Sequence, residues 1–420
     1  MRRSSGQKAG GQSGHSGFTK VIKHVDYVEK HCNSKCNGCP NYLNCLNKLA
    51  KIEHEKRFTV DIIVKSNIIE HQIVNISKCP ISGETLKGDF PKGVNSHMQY
   101  GNNLSSFIVL LNHLGLSCNR IQDLVSDSFN INLSQGTIIN KINKCADIMK
   151  EAVEDVIKPG LRNSLIVHAD ETGVNVNSKK MWVHSSSNND YTYLTLNQRR
   201  GKDGINHNGV IGNMKSSSYV VHDCWGSYFS YKNVQHILCN QHIMRELTFI
   251  IERYPEQTWA QPFLDFLIEM KNEKERIINE EGMYAFESSV LEKYSKYYDE
   301  LMDKAYLLNP DSELKKPARG TCKKTKSRNL YERLKKYKDA VMLFAKDFNV
   351  PFTNNLGEKS FRIVKVKMKN VGCFRSEEGA EWYLTIRSFL DTARKQGKNI
   401  FDSIKEAFAG NTDYIFSTIL

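Results

Sequence analysis

The stretch Asn163–Val174, which reads NSLIVHADETGV, decides the fold of this chain. Its apolar run Leu165–Val167 consists of strand-forming residues and predicts a short buried strand. The run stops just before Asp170 and Glu171, and Gly173 predicts a turn after them. The sequence therefore predicts a strand that delivers carboxylates to the loop at its end.

A second stretch repeats this design. The apolar run Tyr219–Val221 is followed by Asp223 and then by Cys224-Trp225-Gly226. In α/β sheets, functional groups collect at the carboxyl ends of strands. Two aspartates placed in this way are typical ligands of magnesium, which proteins usually hold with one or two carboxylates plus substrate phosphate. The alternative is that each aspartate only starts a turn.

Composition favours a polyanionic partner. The 420 residues suffice for two or three domains, and 59 Lys+Arg against 46 Asp+Glu give a net charge of +13. A basic surplus is typical of proteins that bind nucleic acid, although a basic protein without that role fits the charge equally well. The sequence has no apolar run long enough for a membrane span and no secretory signal at its start. We therefore expect no membrane partner and a cytoplasmic, nucleoid-associated location.

The N-terminal part combines a basic arm with a cysteine cluster. Residues 1–18 are mostly Gly, Ser, Gln, Lys and Arg, which predicts a flexible arm that either contacts phosphates or is an inert linker. The predicted strands Phe58–Val64 and Ile68–Ile76 follow the first cysteines. Ser82 stands where a second C-x-x-C pair would need its last cysteine, so the alternatives are a zinc site completed by other cysteines or free thiols. The candidate zinc ligands are Cys32, Cys36, Cys39, Cys45 and Cys79.

Three helices are predicted between residues 103 and 150. Apolar residues recur at helical spacing over Leu104–Leu114 and Ile121–Phe129, Gly115 breaks the first helix, and Ser134 caps the third. A helix, short turn and helix is a common DNA-binding arrangement, although most helix pairs only pack against each other. The residues available on the exposed face of the third helix are Gln135, Thr137, Asn140, Lys141 and Lys144.

The middle of the chain changes to strands and then returns to helices. The residues 165–169 and the runs Met181–His184 and Tyr191–Leu196 predict an antiparallel meander, and Tyr219–His222 and His236–Leu238 predict two further strands. Cys239 and His242 then open a helix and share one of its faces, as a metal pair or as a structural pair. Residues 255–345 are predicted to be helical, and the run Lys315–Lys338 is dense in cations that suit a DNA backbone or solvent.

The third key stretch is PFTNNLGEKSFR, residues 351–362. Asn355 followed by Glu358 fits a capping box, in which Glu358 has only a structural role. The alternative is that Glu358 is a metal ligand, because Arg362, Lys365 and Lys369 follow it on the same helical face and suit phosphate. A final helix is predicted from Glu378 to Lys395.

Together these strings resemble transposases of the insertion-sequence 66 family, which belong to the Asp-Asp-Glu (DDE) group. GQKAGGQSGHSG is similar to that family's Gly-rich linker, and six further strings are similar to its core motifs in the right order. They are ADETG, VHDCW, CNQHIMREL, PFTNNLGEKSFR, GCFRSEEGA and TARKQGKN. The chain departs from the family at Ser82, and it starts at the Gly-rich linker, where members usually carry a helical region upstream.

The resemblance implies an α/β fold with an RNase H-like core, in which a mixed sheet is flanked by helices. The implied acidic triad is Asp170, Asp223 and Glu358, and the C-x-x-H pair is similar to a feature of related transposases. The expected domains are a basic arm (1–18), a zinc-ribbon-like region (19–90), a helix-turn-helix-like DNA-binding region (91–158), the first part of the core (159–254), a helical insertion (255–345), the second part of the core (346–396) and a tail (397–420).

The implied activity is phosphoryl transfer on DNA with two Mg²⁺ ions, for which Mn²⁺ can substitute. The implied partners are double-stranded DNA of the element ends and of the target, a second copy of the chain on that DNA, and accessory proteins of the same element. Two rivals stay open: a DNA-binding protein without catalysis, and a nuclease that never joins strands. The residues expected to hold the DNA backbone are Arg199, Arg200, Lys202, Lys215, Arg245, Arg362, Lys365 and Arg375.

Overall fold

The computed structural model describes residues 94–280, 282–310 and 324–417 continuously, and before them 65–73, 75–77, 80–82 and 84–91 with a few isolated residues. The chain divides into two compact units, Met1–Ile63 and Val64–Leu420. The described residues lie almost entirely in the second unit, which contains Asp170, Asp223 and Glu358. The domain boundaries drawn from the sequence stay predictions.

The N-terminal cysteine region is described only in part. Strand β1 (Asn75–Ile76) pairs antiparallel with β2 (Leu86–Lys87). The predicted strand Ile68–Ile76 is wrong over residues 68–73, which are described and carry no strand. The predicted strand Phe58–Val64 lies outside the described residues. So do four of the five candidate zinc ligands, Cys32, Cys36, Cys45 and Cys79, and the zinc site stays a prediction.

The three predicted helices of the next region are confirmed. They are α1 (Asn102–His113), α2 (Cys118–Phe129) and α3 (Gln135–Ala152). The side chain of Ser134 accepts a hydrogen bond from the Thr137 N–H and so caps α3. Gly115 ends the first helical segment with a φ of +98°, which only glycine adopts at low cost. The DNA-binding role of these helices stays a prediction.

The predicted strands form one mixed sheet of five. Its strands are β3 (Ile166–Val176), β4 (Lys179–Ser187), β5 (Thr192–Asn197), β6 (Tyr219–His222) and β7 (Gln235–Leu238). The order is β5-β4-β3-β6-β7, in which the first three strands are the antiparallel meander and the pairs β3–β6 and β6–β7 are parallel.

The predicted turn at Gly173 is wrong. Strand β3 continues past Asp170 and Glu171 to Val176, because its antiparallel ladder with β4 runs unbroken through the pair of Gly173 and Trp182. The turn comes later, at Asn177 and Ser178, which both have positive φ. Asp170 therefore lies inside a strand rather than in a loop after one.

Helices cover both faces of the sheet. Val167 and Val220 face the first core, which also contains residues of α1–α3 and of α13 (Glu377–Lys395) and α14 (Ile400–Phe408). The neighbouring residue Val221 faces the second core, as alternation along a strand requires. That second core is built with α6 (Asn240–Arg253), α7 (Ala260–Glu280), α8 (Ser288–Leu307), α9 (Lys326–Lys336) and α10 (Lys338–Lys346).

Short elements complete the chain. Helix α4 (Lys158–Arg162) leads into β3, and α5 (Lys202–Asn208) follows β5. After the helical insertion, α11 (Asn355–Ser360) and α12 (Arg362–Val371) carry Glu358 and the cations behind it. Among the described residues, none of the helices combines the length and the apolar character that a bilayer crossing needs.

Candidate active site

The two aspartates meet because of the register of two parallel strands. In the pairing of β3 with β6, His168 lies opposite Val221. Asp170 and Asp223 each follow two residues later, so both side chains point to the same face at the same level. The structure brings carboxylate oxygens of Asp170, Glu171 and Asp223 within 4.8 Å of one another.

The electrostatics of this cluster are unfavourable without a cation. Burial, followed by the charges of Asp223 and Glu171, raises the pKa of Asp170 to about 7. Burial and Glu171 also raise the pKa of Asp223, which His242 and Arg200 lower only in part. The Oδ1 atom of Asp223 is buried and has no hydrogen-bond partner among the described residues. A bound cation would relieve both the repulsion and the unpaired oxygen.

Glu171 is held differently from its neighbour. Its side chain is 1% exposed; Oε1 accepts a hydrogen bond from Arg200 Nε at 2.8 Å, and Oε2 accepts one from the Tyr228 hydroxyl at 2.5 Å. The Arg200 guanidinium in turn lies 3.9 Å from the ring centre of Trp225 and 5.0 Å from that of Trp182. Both oxygens of Glu171 are therefore engaged, which leaves Asp170 and Asp223 as the accessible ligands of this cluster.

Sequence reasoning missed the supports of Glu171. Tyr228 follows Asp223 closely in the chain, but nothing in its spacing connects it with a carboxylate of β3. Arg200 was predicted only as a DNA contact, and the structure places it between two tryptophan rings with Glu171 as its partner.

Glu358 lies in the first turn of α11, and the predicted cap is wrong. The residue before this helix is Asn354 rather than Asn355, and it makes no side-chain capping bond. The Glu358 carboxylate instead lies 3.3 Å from Arg245 and 3.6 Å from His242 Nε2, with its side chain 33% exposed. The charge of Glu358 also adds a minor part to the rise in the pKa of Asp170.

Asn354 positions this part of the site, and sequence reasoning missed it as well. It is fully buried; its Oδ1 is 2.9 Å from His168 Nδ1, and its Nδ2 donates to the Ala169 carbonyl at 2.8 Å. Its backbone N–H donates to Cys239 Sγ. A Cβ on Gly357 would lie 2.9 Å from Asn354 Oδ1, so the Asn354 side chain can keep this position only with glycine at residue 357. Asn354 thus ties α11 to the two residues of β3 that directly precede Asp170.

The Cys239 and His242 pair lies in the same corner. Cys239 precedes α6, His242 lies in its first turn, and ligand atoms of Cys239, His242 and Glu358 lie within 4.8 Å of one another. Within the predicted triad, Asp223 thus lies with Asp170, whereas Glu358 lies with Cys239 and His242.

The residues predicted to contact DNA differ in their pairing and exposure. Arg199 is exposed and pairs with Asp203 at 2.6 Å, and Arg245 pairs with Glu358. The remaining candidates are exposed, namely Lys202, Lys215, Arg362, Lys365 and Arg375. Their contact with DNA stays a prediction.

A divalent cation fits this donor set. Asp170 and Asp223 offer the hard oxygen ligands that Mg²⁺ prefers, and the unpaired Oδ1 of Asp223 is an available ligand atom. The third carboxylate, Glu358, lies nearby on a separate element.

A five-stranded mixed sheet flanked by helices, with carboxylates at the level where β6 ends, fits the RNase H-like class of nucleic-acid-processing enzymes. The model of the transposase IS66 family matches residues 97–382, which is more than half of the chain, and the protein belongs to that family. The resemblance drawn from the motifs is therefore confirmed. A comparison with curated proteins finds no match.

Proposed function

We propose that this protein is a DNA transposase that cleaves the ends of a mobile element and joins them to target DNA, with Asp170, Asp223 and Glu358 as its catalytic carboxylates. The observation that carries the proposal is the convergence of Asp170 and Asp223 on one face of the sheet, with an oxygen of Asp223 left unpaired. Membership of a transposase family supports it.

Each part of the chain has a role in this mechanism. Asp170 and Asp223 would hold the divalent ions, and Glu358 would supply the third carboxylate. Bound Mg²⁺, or Mn²⁺ in its place, supplies the Lewis acid that activates the attacking oxygen and stabilises the leaving oxygen. The exposed cations around the site, Arg362 and Lys365 among them, hold the DNA backbone in line, since positioning and charge neutralisation carry phosphoryl transfer. Two copies of the chain, with accessory proteins of the element, would bring both ends together on the DNA.

The decisive experiment is a cleavage and joining assay in Mg²⁺ with DNA that flanks the gene. We expect the wild-type protein to cut at the element ends and to join pre-cut ends to a target. Asp170→Asn and Asp223→Asn should each lower cleavage by about a thousandfold, because a neutral amide is a poor ligand for Mg²⁺. The control is Asp303→Asn, an exposed position on α8.

Three outcomes separate the rivals. Tight binding to the ends without any cut would identify a DNA-binding protein without catalysis. Cutting without joining would identify a nuclease. Wild-type cleavage by Glu358→Gln would remove Glu358 from the triad.

A further inference from the structure

The corner between α6 and α11 carries a second cluster of metal-ligating groups. It offers a sulfur from Cys239, a ring nitrogen from His242 and a carboxylate oxygen from Glu358, all within 4.8 Å of one another. The distance between His242 Nε2 and Glu358 Oε1 is 3.6 Å. In tetrahedral zinc sites, bonds of about 2.0–2.3 Å place neighbouring ligand atoms roughly 3.5 Å apart. Small side-chain rotations would therefore suffice to close this cluster around an ion.

The sulfur of Cys239 lies among backbone N–H donors. Cys239 is buried directly before the N-terminus of α6, where the helix dipole favours negative charge. The Asn354 N–H donates to its Sγ at 3.1 Å. Burial and the charge of Glu358 raise the pKa of Cys239, and hydrogen bonds from the backbone of Asn354, His242 and Gln241 oppose this rise only in part, so a bound cation is needed to stabilise the thiolate.

The imidazole and its surroundings leave room for a ligand. The Nδ1 atom of His242 is buried and has no hydrogen-bond partner among the described residues. A cavity of about 150 Å³ is lined by Cys239, His242 and Asp223. A water molecule needs about 30 Å³, so the cavity can hold a fourth ligand, and it extends from this corner to Asp223.

We propose that Cys239, His242 and Glu358 form a second metal site, which takes a thiophilic divalent cation such as Zn²⁺ and thereby withdraws Glu358 from the catalytic carboxylates. One thiolate, one imidazole and one carboxylate form a donor set that selects Zn²⁺ over Mg²⁺. Binding releases the thiol proton to solvent. Because the soft cation binds the Glu358 oxygen that lies beside His242 and holds this carboxylate toward Cys239, it inhibits the Mg²⁺-dependent reaction; this part of the inference rests on the proposed function.

The first test measures binding and does not depend on activity. The full-length protein is stripped of metal and titrated with Cd²⁺ alone, and the ultraviolet charge-transfer absorption of cadmium thiolates is recorded. Wild type should bind one more Cd²⁺ per chain than Cys239→Ser. Cys224→Ser is the matched control, because Cys224 lines the same cavity without belonging to the cluster. Binding at the N-terminal cysteines contributes equally to all three proteins and cancels in the difference.

The number of Cd²⁺ ions bound per chain decides whether the second metal site exists. Equal Cd²⁺ binding by wild type and Cys239→Ser would overturn the proposal. If Cys239→Ser does not fold, as judged by circular dichroism, His242→Gln takes its place, and it should also lose the additional ion.

The second test measures inhibition. Cleavage in Mg²⁺ is compared with and without Zn²⁺ for each protein, and only the ratio within each protein is used. We expect Zn²⁺ to lower wild-type cleavage by about tenfold or more, since one catalytic ligand is lost, and to have less effect on Cys239→Ser. The same ratio in both proteins would overturn the inhibition. If no protein cleaves DNA under any condition, the proposed function fails while the Cd²⁺ titration still decides the site.

Discussion

The proposed active site has two halves of different construction. The strand half, Asp170 and Asp223, is fixed by the backbone register of β3 and β6. The helix half, Glu358, stands on a six-residue helix that the side chain of Asn354 ties to β3 through two hydrogen bonds. Many backbone hydrogen bonds share in holding the strand half, whereas a few side-chain hydrogen bonds hold the helix half. The strand half should therefore resist changes around it, and the helix half should not.

Among changes that leave the three carboxylates in place, the largest effect is expected when Asn354, which ties α11 to β3, is replaced. Asn354→Ala removes the hydrogen bonds to His168 and Ala169 and lets α11 shift. A misplacement of about 1 Å can cost a hundredfold in rate, so cleavage should fall by about that factor while DNA binding stays. The control is the exposed neighbour, Asn355→Ala, which should cleave like wild type. Equal rates for both variants would show that Glu358 is held in another way.

A second prediction concerns the charge of the strand half in the absence of metal. Burial, Asp223 and Glu171 raise the pKa of Asp170 to about 7, whereas the unfolded value is near 3.9. Between these values the folded state binds more protons than the unfolded state, so the free energy of unfolding falls as pH rises from about 4 to about 7. Asp170→Asn should remove this pH-dependent fall in the free energy of unfolding, which is on the order of 2 kcal/mol.

Urea unfolding in a chelator at pH 5 and at pH 8 measures this difference. Asp170→Asn should lose less stability between the two values than wild type, and Asp303→Asn should lose as much as wild type. An unchanged pH dependence in Asp170→Asn would mean that the strand half is not strained.

The hydrogen bond from Tyr228 to Glu171, beside the strand half, should contribute less to the free energy of unfolding. Tyr228→Phe removes the hydroxyl that donates to Glu171 at 2.5 Å and leaves a buried carboxylate oxygen without that donor. The free energy of unfolding should fall by roughly 1.5 kcal/mol. Tyr284→Phe, at an exposed position, is the matched control. Identical urea midpoints for the two variants would contradict the role assigned to Tyr228.

The smallest expected effect distinguishes the roles of two arginines, Arg362 and Arg200. Arg362 is exposed on α12, so Arg362→Gln should lower the slope of DNA affinity against salt by about one unit without a change in stability. Arg200 instead holds Glu171. Arg200→Gln should therefore lower stability more than it lowers the salt slope. The reverse pattern would assign Arg200 to the DNA and Arg362 to the fold.

The sequence predicts the strand half of the site better than the helix half. The strands and the pairing of Asp170 with Asp223 follow from apolar runs, because local composition and register determine them. The turn at Gly173 was wrong, since a glycine inside a ladder has the same local appearance as a glycine after it. Asn354 could not be recognised, because its partners His168 and Ala169 lie more than 180 residues away in the chain. Long-range side-chain hydrogen bonds leave no periodic signal.

The position of Glu358 in the chain also sets when the site can act. Glu358 follows Asp223 by 358 − 223 = 135 residues, and the helices α6–α10 are made in between. At a synthesis rate of roughly 5–20 residues per second, the strand half leaves the ribosome on the order of ten seconds before the helix half. A nascent chain therefore carries α1–α3 and both aspartates before it carries the third carboxylate. If the protein acts as proposed, a chain that terminates early within the helical insertion would keep those helices, lack Glu358 and compete with the complete protein for the element ends instead of cutting them.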